Sequence, residues 1–234
     1  GGGTGIPRPG EIGLAHNGVL FLDELPEFRR STLEALRQPL EDGQVTVTRA
    51  LVSVLYPANV MLVAAMNPCP CGYFGNTRVR RCTCSAEKVR SYKSRISGPM
   101  MDRIDMHIQI PLLPYDTLRD PNGQTSAQIA ERVRAARALQ FERLGDHRPN
   151  ATLSAREVRK WCRLDEEGHR WMRRVVDKLG LSGRAHERIL KVARTIADLD
   201  AAKEIGAGHI GEALSFRALE NSTACSTVSP PQVH

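Results

Sequence analysis

The spacing of apolar residues changes once along the chain, between about residue 114 and residue 126. Before that point, short apolar runs alternate with polar turns, as expected of strands and helices layered in an α/β domain. After it, apolar residues recur at helical spacing through segments rich in Ala and Arg. The pattern therefore predicts an α/β piece followed by an all-helical piece.

Three apolar runs predict strands of the first piece. Val19–Leu22 is continuous and ends in two acidic residues, and Val60–Met66 is similar, which is typical of strands buried in a parallel sheet. Met106–Ile110 alternates and stops at a proline, so it is predicted as a third strand. Valines at alternate positions around Thr48-Arg49-Ala50 predict a β-hairpin with a basic tip.

Helix signals surround these strands. Ser31 is positioned to cap a helix over Thr32–Leu40, and Glu34 completes a capping-box pattern. The other predicted helices are Ala86–Ser94, Ser126–Leu144, Ala155–Cys162 after a Ser154 cap, Glu166–Leu179, Gly183–Leu199 and one from Gly208 to about Glu220.

The segments between these elements set the predicted domain limits. Residues 1–114 form the α/β piece. Residues 115–125 are a linker, because they contain Pro, Asp, Asn and Gly without apolar periodicity. Residues 126–220 form the helical piece, and residues 221–234, rich in Ser, Thr and Pro, are predicted to be disordered.

Composition and charge restrict the class of protein. The 234 residues are 41% hydrophobic and 25% charged, as in a soluble globular protein, and no apolar run approaches the ~18–20 residues that cross a bilayer. The net charge of +7 favours phosphate-bearing partners, although a solvated basic surface would give the same balance. The Gly-rich start has no Met and no signal-peptide pattern, so we interpret the chain as a fragment of a cytoplasmic protein.

Two carboxylates, Asp23 and Glu24, follow the first predicted strand. The carboxyl ends of strands form the ligand-binding edge of a parallel sheet. In a nucleotide-hydrolysing enzyme, such an Asp holds the Mg²⁺ shell and such a Glu polarises the attacking water. The alternative is a strand that leaves the core through an acidic turn.

Two further polar residues fit the same chemistry. Asn67 ends the second predicted strand, where a neutral amide would hydrogen-bond a γ-phosphate or the lytic water, and an Asn-Pro turn is the alternative. Arg103 precedes the third predicted strand, where a cation would reach a neighbouring subunit's γ-phosphate, as arginine fingers do. A surface salt bridge with Asp102 or Asp105 is the alternative.

Four of the six cysteines form two C-x-C pairs, Cys69-Pro-Cys71 and Cys82-Thr-Cys84. Without a secretory signal, clustered thiols are more often metal ligands than disulfides. Four thiolates would surround Zn²⁺ tetrahedrally and hold together an Arg-rich insertion that has little core of its own. Free reduced cysteines are the alternative.

Four segments of the chain together resemble one protein family. They are GEIGLAHNGVLFLDELPEF at Gly10–Phe28, AAMNP at Ala64–Pro68, SGPMMDRID at Ser97–Asp105 and LKVARTIADL at Leu190–Leu199. In this order they resemble the Mg-chelatase-like AAA+ proteins of the YifB/ComM type. The resemblance implies a homo-hexameric ATPase that uses ATP and Mg²⁺, with a partial AAA+ P-loop-type parallel sheet followed by an all-helical lid domain.

The resemblance also implies roles for single residues. Asp23 and Glu24 match the Walker B pair, with Asp23 as the Mg²⁺ ligand. Asn67 matches sensor 1, and Arg103 matches the arginine finger. The sensor 2 arginine of the lid is then Arg184, with Arg188 as a second candidate one turn along.

The hairpin and the phosphate loop complete what the resemblance implies. In the related helicase clade the hairpin before sensor 1 points into the pore of the ring, so Arg49 at its tip is expected to bind DNA phosphates. No Gly-x-x-x-x-Gly-Lys-Ser/Thr occurs in the chain, and Gly1–Gly5 lacks the lysine. We therefore expect the phosphate loop upstream, and we expect this chain alone neither to bind nor to hydrolyse ATP.

Three functions fit these features. The first is a cytoplasmic AAA+ motor acting on DNA, by helicase activity or branch migration in recombination or natural transformation. The second is a Mg-chelatase-type motor subunit, against which the cysteine insertion and the basic hairpin tip argue. The third is a zinc-stapled nucleic-acid-binding module without ATPase activity.

Overall fold

A computed structural model describes residues 8–49, 52–75, 80–111, 115, 119, 123–179 and 181–217, except for the side chains of Arg49, Lys178 and Leu179. The chain divides into two compact units, Gly1–Ile104 and Asp105–His234. This division falls ahead of the predicted linker, most of which lies outside the described residues. The Gly-rich start and the tail that we predict to be disordered lie outside them too.

The first unit combines a small parallel sheet, a hairpin and short helices. Its strands are β1 (Val19–Leu22), β2 (Gln44–Arg49), β3 (Val52–Pro57) and β4 (Met61–Ala64). Its helices are α1 (Glu11–Leu14), α2 (Arg30–Ala35), α3 (Arg37–Asp42), α4 (Ala86–Lys93) and α5 (Gly98–Met101), with a 3-10 turn at Leu25–Glu27. This mixture confirms the predicted α/β class.

Strands β1 and β4 pair in parallel, which confirms the predicted parallel sheet. The register places Leu22 opposite Ala64. Two further bonds continue the ladder: the Ala65 N–H donates to Leu22 O, and the Leu25 N–H donates to Ala65 O, both at 2.9 Å. The carboxyl ends of the two strands are therefore fixed side by side.

The sheet is buried on one face only, so the prediction of two fully buried strands is wrong for the other face. Alternate residues of a strand point to opposite faces. Val19, Phe21, Met61 and Val63 are 52%, 59%, 61% and 41% exposed, since the described residues leave their face uncovered. The core on the buried face comprises Leu22, Leu25, Leu33, Ile96 and Met100.

The predicted hairpin is confirmed. β2 and β3 pair antiparallel up to Arg49, which lies opposite Val52. Gly43 joins α3 directly to β2 and has φ 66°, a left-handed conformation that glycine adopts without the steric cost of a Cβ. Its carbonyl accepts the Ala58 N–H at 2.7 Å, so a backbone bond closes the base of the hairpin.

The single helix predicted over Thr32–Leu40 is wrong, because α2 and α3 replace it. α2 already begins at Arg30, so Ser31 lies inside the helix and caps nothing. Pro39 explains the break after α2. A proline has no N–H, and its ring clashes with the carbonyl four residues earlier, which here belongs to Ala35. In α3 the same proline sits in the first turn, where it is tolerated.

Residues 106–110 do not form the predicted third strand. They are irregular and belong to the second unit, where the His107 N–H donates to Phe216 O. A strand requires a ladder shared with a neighbour, and no strand within the described residues pairs with this segment. Ile108 and Ile110 are consequently 63% and 84% exposed.

The second unit is helical, as predicted. Its helices are α6 (Ser126–Leu144), α7 (Ala155–Trp161), α8 (Glu166–Leu179), α9 (Gly183–Leu199) and α10 (Ala207–Ser215), with a 3-10 turn at Asn150–Thr152. Thr125 and Ser154 form capping boxes that start α6 and α7. No helix of the described part is long and apolar enough to cross a membrane.

A buried carboxylate fastens this unit together. Asp198 of α9 is 3% exposed and accepts hydrogen bonds from Arg143 of α6, from Arg194 of its own helix and from Asn150 Nδ2 at 2.8 Å. Arg194 is itself 2% exposed and also donates to two carbonyls in the loop that follows α9. Removing the carboxylate would leave these guanidinium groups inadequately paired.

Replacing Asp198 by Asn is therefore expected to lower the free energy of unfolding by about 3–5 kcal/mol, the usual cost of breaking a buried ion pair. Urea unfolding followed by circular dichroism measures the change. Asp177→Asn, at an exposed position of α8, is the matched control. A loss below about 1 kcal/mol for Asp198→Asn, the range of surface pairs, would contradict the prediction.

Candidate functional site

The two carboxylates after β1 lie in a tight turn at the carboxyl edge of the sheet. The Glu24 N–H donates to Asp23 Oδ1 at 2.9 Å. Glu24 has φ 50° and ψ 46°, a left-handed conformation that is uncommon for a residue with a side chain and is often found at functional sites. Both side chains are exposed, so both carboxylates are accessible to a ligand at this edge.

Asn67 lies at the same edge because of the parallel register. It lies two residues after Ala65, the residue that continues the ladder with Leu22 and Leu25. The side chain of Asn67 is exposed. One edge of one sheet thus carries Asp23, Glu24 and Asn67. We predicted them as site residues at the ends of two separate strands.

The guanidinium of Arg103 is bound within its own unit. It donates to Glu41 Oε2 at 2.5 Å, to Arg37 O at 3.2 Å and to Pro99 O at 3.0 Å. Its side chain is only 10% exposed. The salt bridge that we considered with Asp102 or Asp105 is absent from the contacts of Arg103 in the described part, and Glu41 takes its place.

The two candidate sensor 2 arginines lie on the first turns of α9 but differ in exposure. Arg184 is exposed one residue after the start of the helix, which Ser182 caps by accepting the Ala185 N–H. Arg188 is less exposed, and its guanidinium donates to Asp105 Oδ1 at 3.2 Å. Arg184 is therefore the more accessible of the two candidates.

Arg49 is the last residue of β2, beside the turn of the hairpin. The backbone thus places it at the tip, where we predicted it. Its side chain and the turn residues 50–51 lie outside the described part, so its role as a DNA contact stays a prediction.

The four predicted metal ligands lie close together. The Sγ atoms of Cys69, Cys71, Cys82 and Cys84 are all within 4.8 Å of one another. The three pairs among Cys69, Cys71 and Cys82 are separated by 3.3, 3.7 and 3.5 Å. Four sulfurs at about 2.3 Å from a zinc ion have edges of about 3.8 Å, so the cluster has nearly the size of a tetrahedral site. The thiols are free, and no disulfide joins them.

Backbone amides make this cluster suitable for a cation. Hydrogen bonds from the amides of Tyr73 and Thr83 lower the pKa of the Cys71 thiol to about 5. The Cys84 amide lowers the pKa of Cys82, but burial and the neighbouring thiols outweigh it and raise that pKa to about 12. Without a metal, the pKa values of Cys69 and Cys71 are thus lowered and those of Cys82 and Cys84 are raised, because adjacent thiolates repel each other. A divalent cation would remove that constraint.

Sequence reasoning missed Glu41, because this acid is 62 residues from Arg103 along the chain. It also missed Arg143, Arg194 and Asp198 as a buried network, since charged residues on amphipathic helices are ordinarily exposed. Only the i,i+4 spacing of Arg194 and Asp198 on one helix could have been found locally. The pairs Glu41–Arg103 and Arg143–Asp198 are brought together by tertiary packing.

Comparisons with known proteins agree with this architecture. The family model described as magnesium chelatase, subunit ChlI, matches residues 1–118, and the model of the C-terminal part of that subunit matches residues 123–217. The chain belongs to the magnesium-chelatase-like family of AAA+ ATPase-related proteins, of the YifB/ComM type, which confirms the resemblance seen in the sequence.

Individual relatives match almost the whole chain. Competence protein ComM of Haemophilus influenzae is 48% identical over 221 residues, which are 94% of this chain and 42% of the relative. YifB of Escherichia coli is also 48% identical, over 94% of this chain and 43% of its own length. An uncharacterized protein of Mycobacterium tuberculosis is 39% identical over 93% of the chain and 43% of the relative. The chain thus spans less than half the length of these relatives.

Proposed function

We propose that the protein is the Walker B, sensor and lid portion of a cytoplasmic, homo-hexameric AAA+ ATPase that acts on DNA. The observation that carries the proposal is the parallel register of β1 and β4, because it brings Asp23, Glu24 and Asn67 to one edge of the sheet. Membership of the magnesium-chelatase-like family supports the ATPase assignment.

The residues at this edge suit an ATP–Mg²⁺ complex. Carboxylate oxygens are preferred ligands of Mg²⁺, and the accessible carboxylate of Asp23 would hold a Mg²⁺ ion that neutralises negative charge on the nucleotide phosphates. Glu24 would accept a hydrogen bond from the attacking water and polarise it. Asn67 would orient that water or the γ-phosphate through its neutral amide. Arg103 from a neighbouring subunit and Arg184 of the lid would stabilise the charge that develops on the phosphate.

Replacing Glu24 by Gln in the full-length protein is expected to lower the ATPase rate at least about 100-fold, because the amide cannot polarise water as a carboxylate does. Nucleotide binding should survive, since Asp23 is retained. Steady-state kinetics and binding of a fluorescent ATP analogue measure the two quantities.

Glu27→Gln is the matched control, because Glu27 is an exposed carboxylate three residues away that pairs with Arg95. A Glu24→Gln enzyme as active as this control would contradict the role of Glu24.

We also expect the 234-residue chain alone to neither bind nor hydrolyse ATP, because it contains no phosphate-binding motif.

DNA is proposed as the substrate because of the hairpin and the distribution of charge. The net charge is +7, and the hairpin carries Arg49 at its tip. A basic tip in the pore of a ring would grip phosphates without reading sequence. One relative is named a competence protein, which is consistent with action on DNA during natural transformation. Helicase activity or branch migration would be the corresponding reaction.

Replacing Arg49 by Ala is expected to reduce the stimulation of ATPase activity by DNA, and to flatten the salt dependence of DNA binding by about one phosphate contact. Hydrolysis rates with and without a single-stranded oligonucleotide, and binding isotherms at several salt concentrations, measure these effects. Arg134→Ala, an exposed arginine of α6, is the control. Equal stimulation in both variants would argue against a pore contact by Arg49.

A Mg-chelatase-type motor subunit is the second candidate, favoured by the description of the matching family model. It would use the same nucleotide residues but would show no ATPase stimulation by DNA. A zinc-stapled nucleic-acid-binding module without ATPase activity would instead bind DNA and hydrolyse nothing, even when the phosphate loop is present.

We further propose that the cysteine cluster binds one structural Zn²⁺. Tetrahedral coordination by four thiolates is the usual chemistry of structural zinc. The neighbouring backbone amides donate to the sulfurs and stabilise the negative charge of the thiolate form, which is the form that binds a metal. The ion would hold the two C-x-C pairs together close to Asn67 without taking part in hydrolysis.

Purified protein in reducing buffer is therefore expected to contain about one zinc per chain. Cys71→Ser should lose it, whereas Cys162→Ser, at the buried cysteine of the helical unit, should retain it. Inductively coupled plasma mass spectrometry measures the content. Zinc well below one equivalent in the unmodified protein would overturn the assignment.

A further inference from the structure

We propose that Glu41 is a positioning residue that couples the β2–β3 hairpin to Arg103. The inference rests on the proposed function, in which the hairpin contacts DNA and Arg103 acts on a neighbouring subunit's nucleotide. Glu41 would transmit movement between the hairpin and Arg103 without contacting the DNA or the nucleotide.

The first observation is how Arg103 is fixed. Two of its three acceptors lie on α3, namely the carboxylate of Glu41 at 2.5 Å and the carbonyl of Arg37 at 3.2 Å. The third acceptor is Pro99 O, at the start of the same turn as Arg103. Hydrogen bonds between charged groups are the stronger kind, so the Glu41 carboxylate is the main anchor of Arg103 on α3.

The second observation is the direct connection from α3 to the hairpin. Glu41 is two residues before Gly43, and β2 begins at the next residue, Gln44. At the base of the hairpin, the N–H of Ala58, which follows β3, donates to the carbonyl of Gly43, which precedes β2. No loop intervenes between the helix that holds Arg103 and the strand that leads to the tip. A rotation of the hairpin would therefore turn α3 and displace the Glu41 carboxylate.

The third observation is a second link between the same two segments. The Ser97 hydroxyl, which caps α5, interacts with the carboxylate of Glu34 and, together with the ion pair to Arg37, lowers the pKa of that carboxyl group. Leu33 of α2 and Met100 of α5 are fully buried in one cluster. α2 and the segment from residue 97 to residue 103 thus pack together through contacts that do not involve Glu41.

Because those packing contacts do not involve Glu41, an effect of Glu41 on coupling can be distinguished from an effect on folding. The Glu41 side chain is 38% exposed, so its loss would remove an anchor of Arg103 and leave the apolar contacts of Leu33 and Met100 in place. Asp42 is the adjacent carboxylate on the same helix and is also exposed, which makes it a matched control of equal charge.

The test uses the full-length hexamer and its Glu41→Ala, Asp42→Ala and Arg103→Ala variants. Hydrogen–deuterium exchange of the hairpin amides, residues 44–57, is measured with and without a non-hydrolysable ATP analogue. ATPase kinetics are measured with and without a single-stranded oligonucleotide. Thermal unfolding verifies that each variant is folded.

We expect nucleotide to change hairpin exchange in the unmodified protein and in Asp42→Ala, and the change to be lost in Glu41→Ala and Arg103→Ala. Glu41→Ala should also lose most of the DNA stimulation of kcat while the KM for ATP is retained. The inference is overturned if nucleotide changes hairpin exchange equally in Glu41→Ala and Asp42→Ala. It is also overturned if nucleotide changes hairpin exchange in no form of the protein. The two measurements can also disagree. If Glu41→Ala loses the change in hairpin exchange but DNA does not stimulate the ATPase activity of the unmodified protein, the proposed DNA function is refuted and the coupling stands.

Discussion

The parallel hydrogen-bond ladder between β1 and β4 is the constraint on which the first unit depends. Side chains alternate between the faces of a sheet, so a shift of one residue would exchange its core and solvent faces. The register that buries Leu22 also extends through Ala65 to the turn containing Asp23 and Glu24. Burial of the core and alignment of the proposed catalytic groups are thus consequences of the same pairing.

Next to this ladder, α2 and α3 connect the sheet, Arg103 and the hairpin, which a motor would need to coordinate. Their apolar side packs on the buried face of the sheet, and their polar side binds Ser97 and Arg103. The chain then passes through Gly43 into the hairpin. The cysteine cluster follows Asn67 after a single residue, and its Cys69 is fully buried. Short connections therefore link the sheet edge, the hairpin and the cluster.

Several features were predictable because their causes are local. Alternating valines specify a hairpin, capping residues specify helix starts such as those at Thr125 and Ser154, and paired cysteines specify a cluster. Other predictions failed where local signals conflict or are incomplete. Pro39 overrides the capping pattern at Ser31, and residues 106–110 have a strand pattern without a neighbour to pair with.

The sequence by itself determined that an α/β unit precedes a helical unit, the family, and the candidate residues Asp23, Glu24, Asn67 and Arg103. Tertiary structure alone decided which charged groups meet. Glu41 binds Arg103, and Asp198 of α9 binds Arg143 of α6, because packing places distant segments in contact. A charged side chain looks the same in sequence whether it faces water or a partner. The free energy of desolvating it, and hence its need for a counter-charge, arises only in the folded chain.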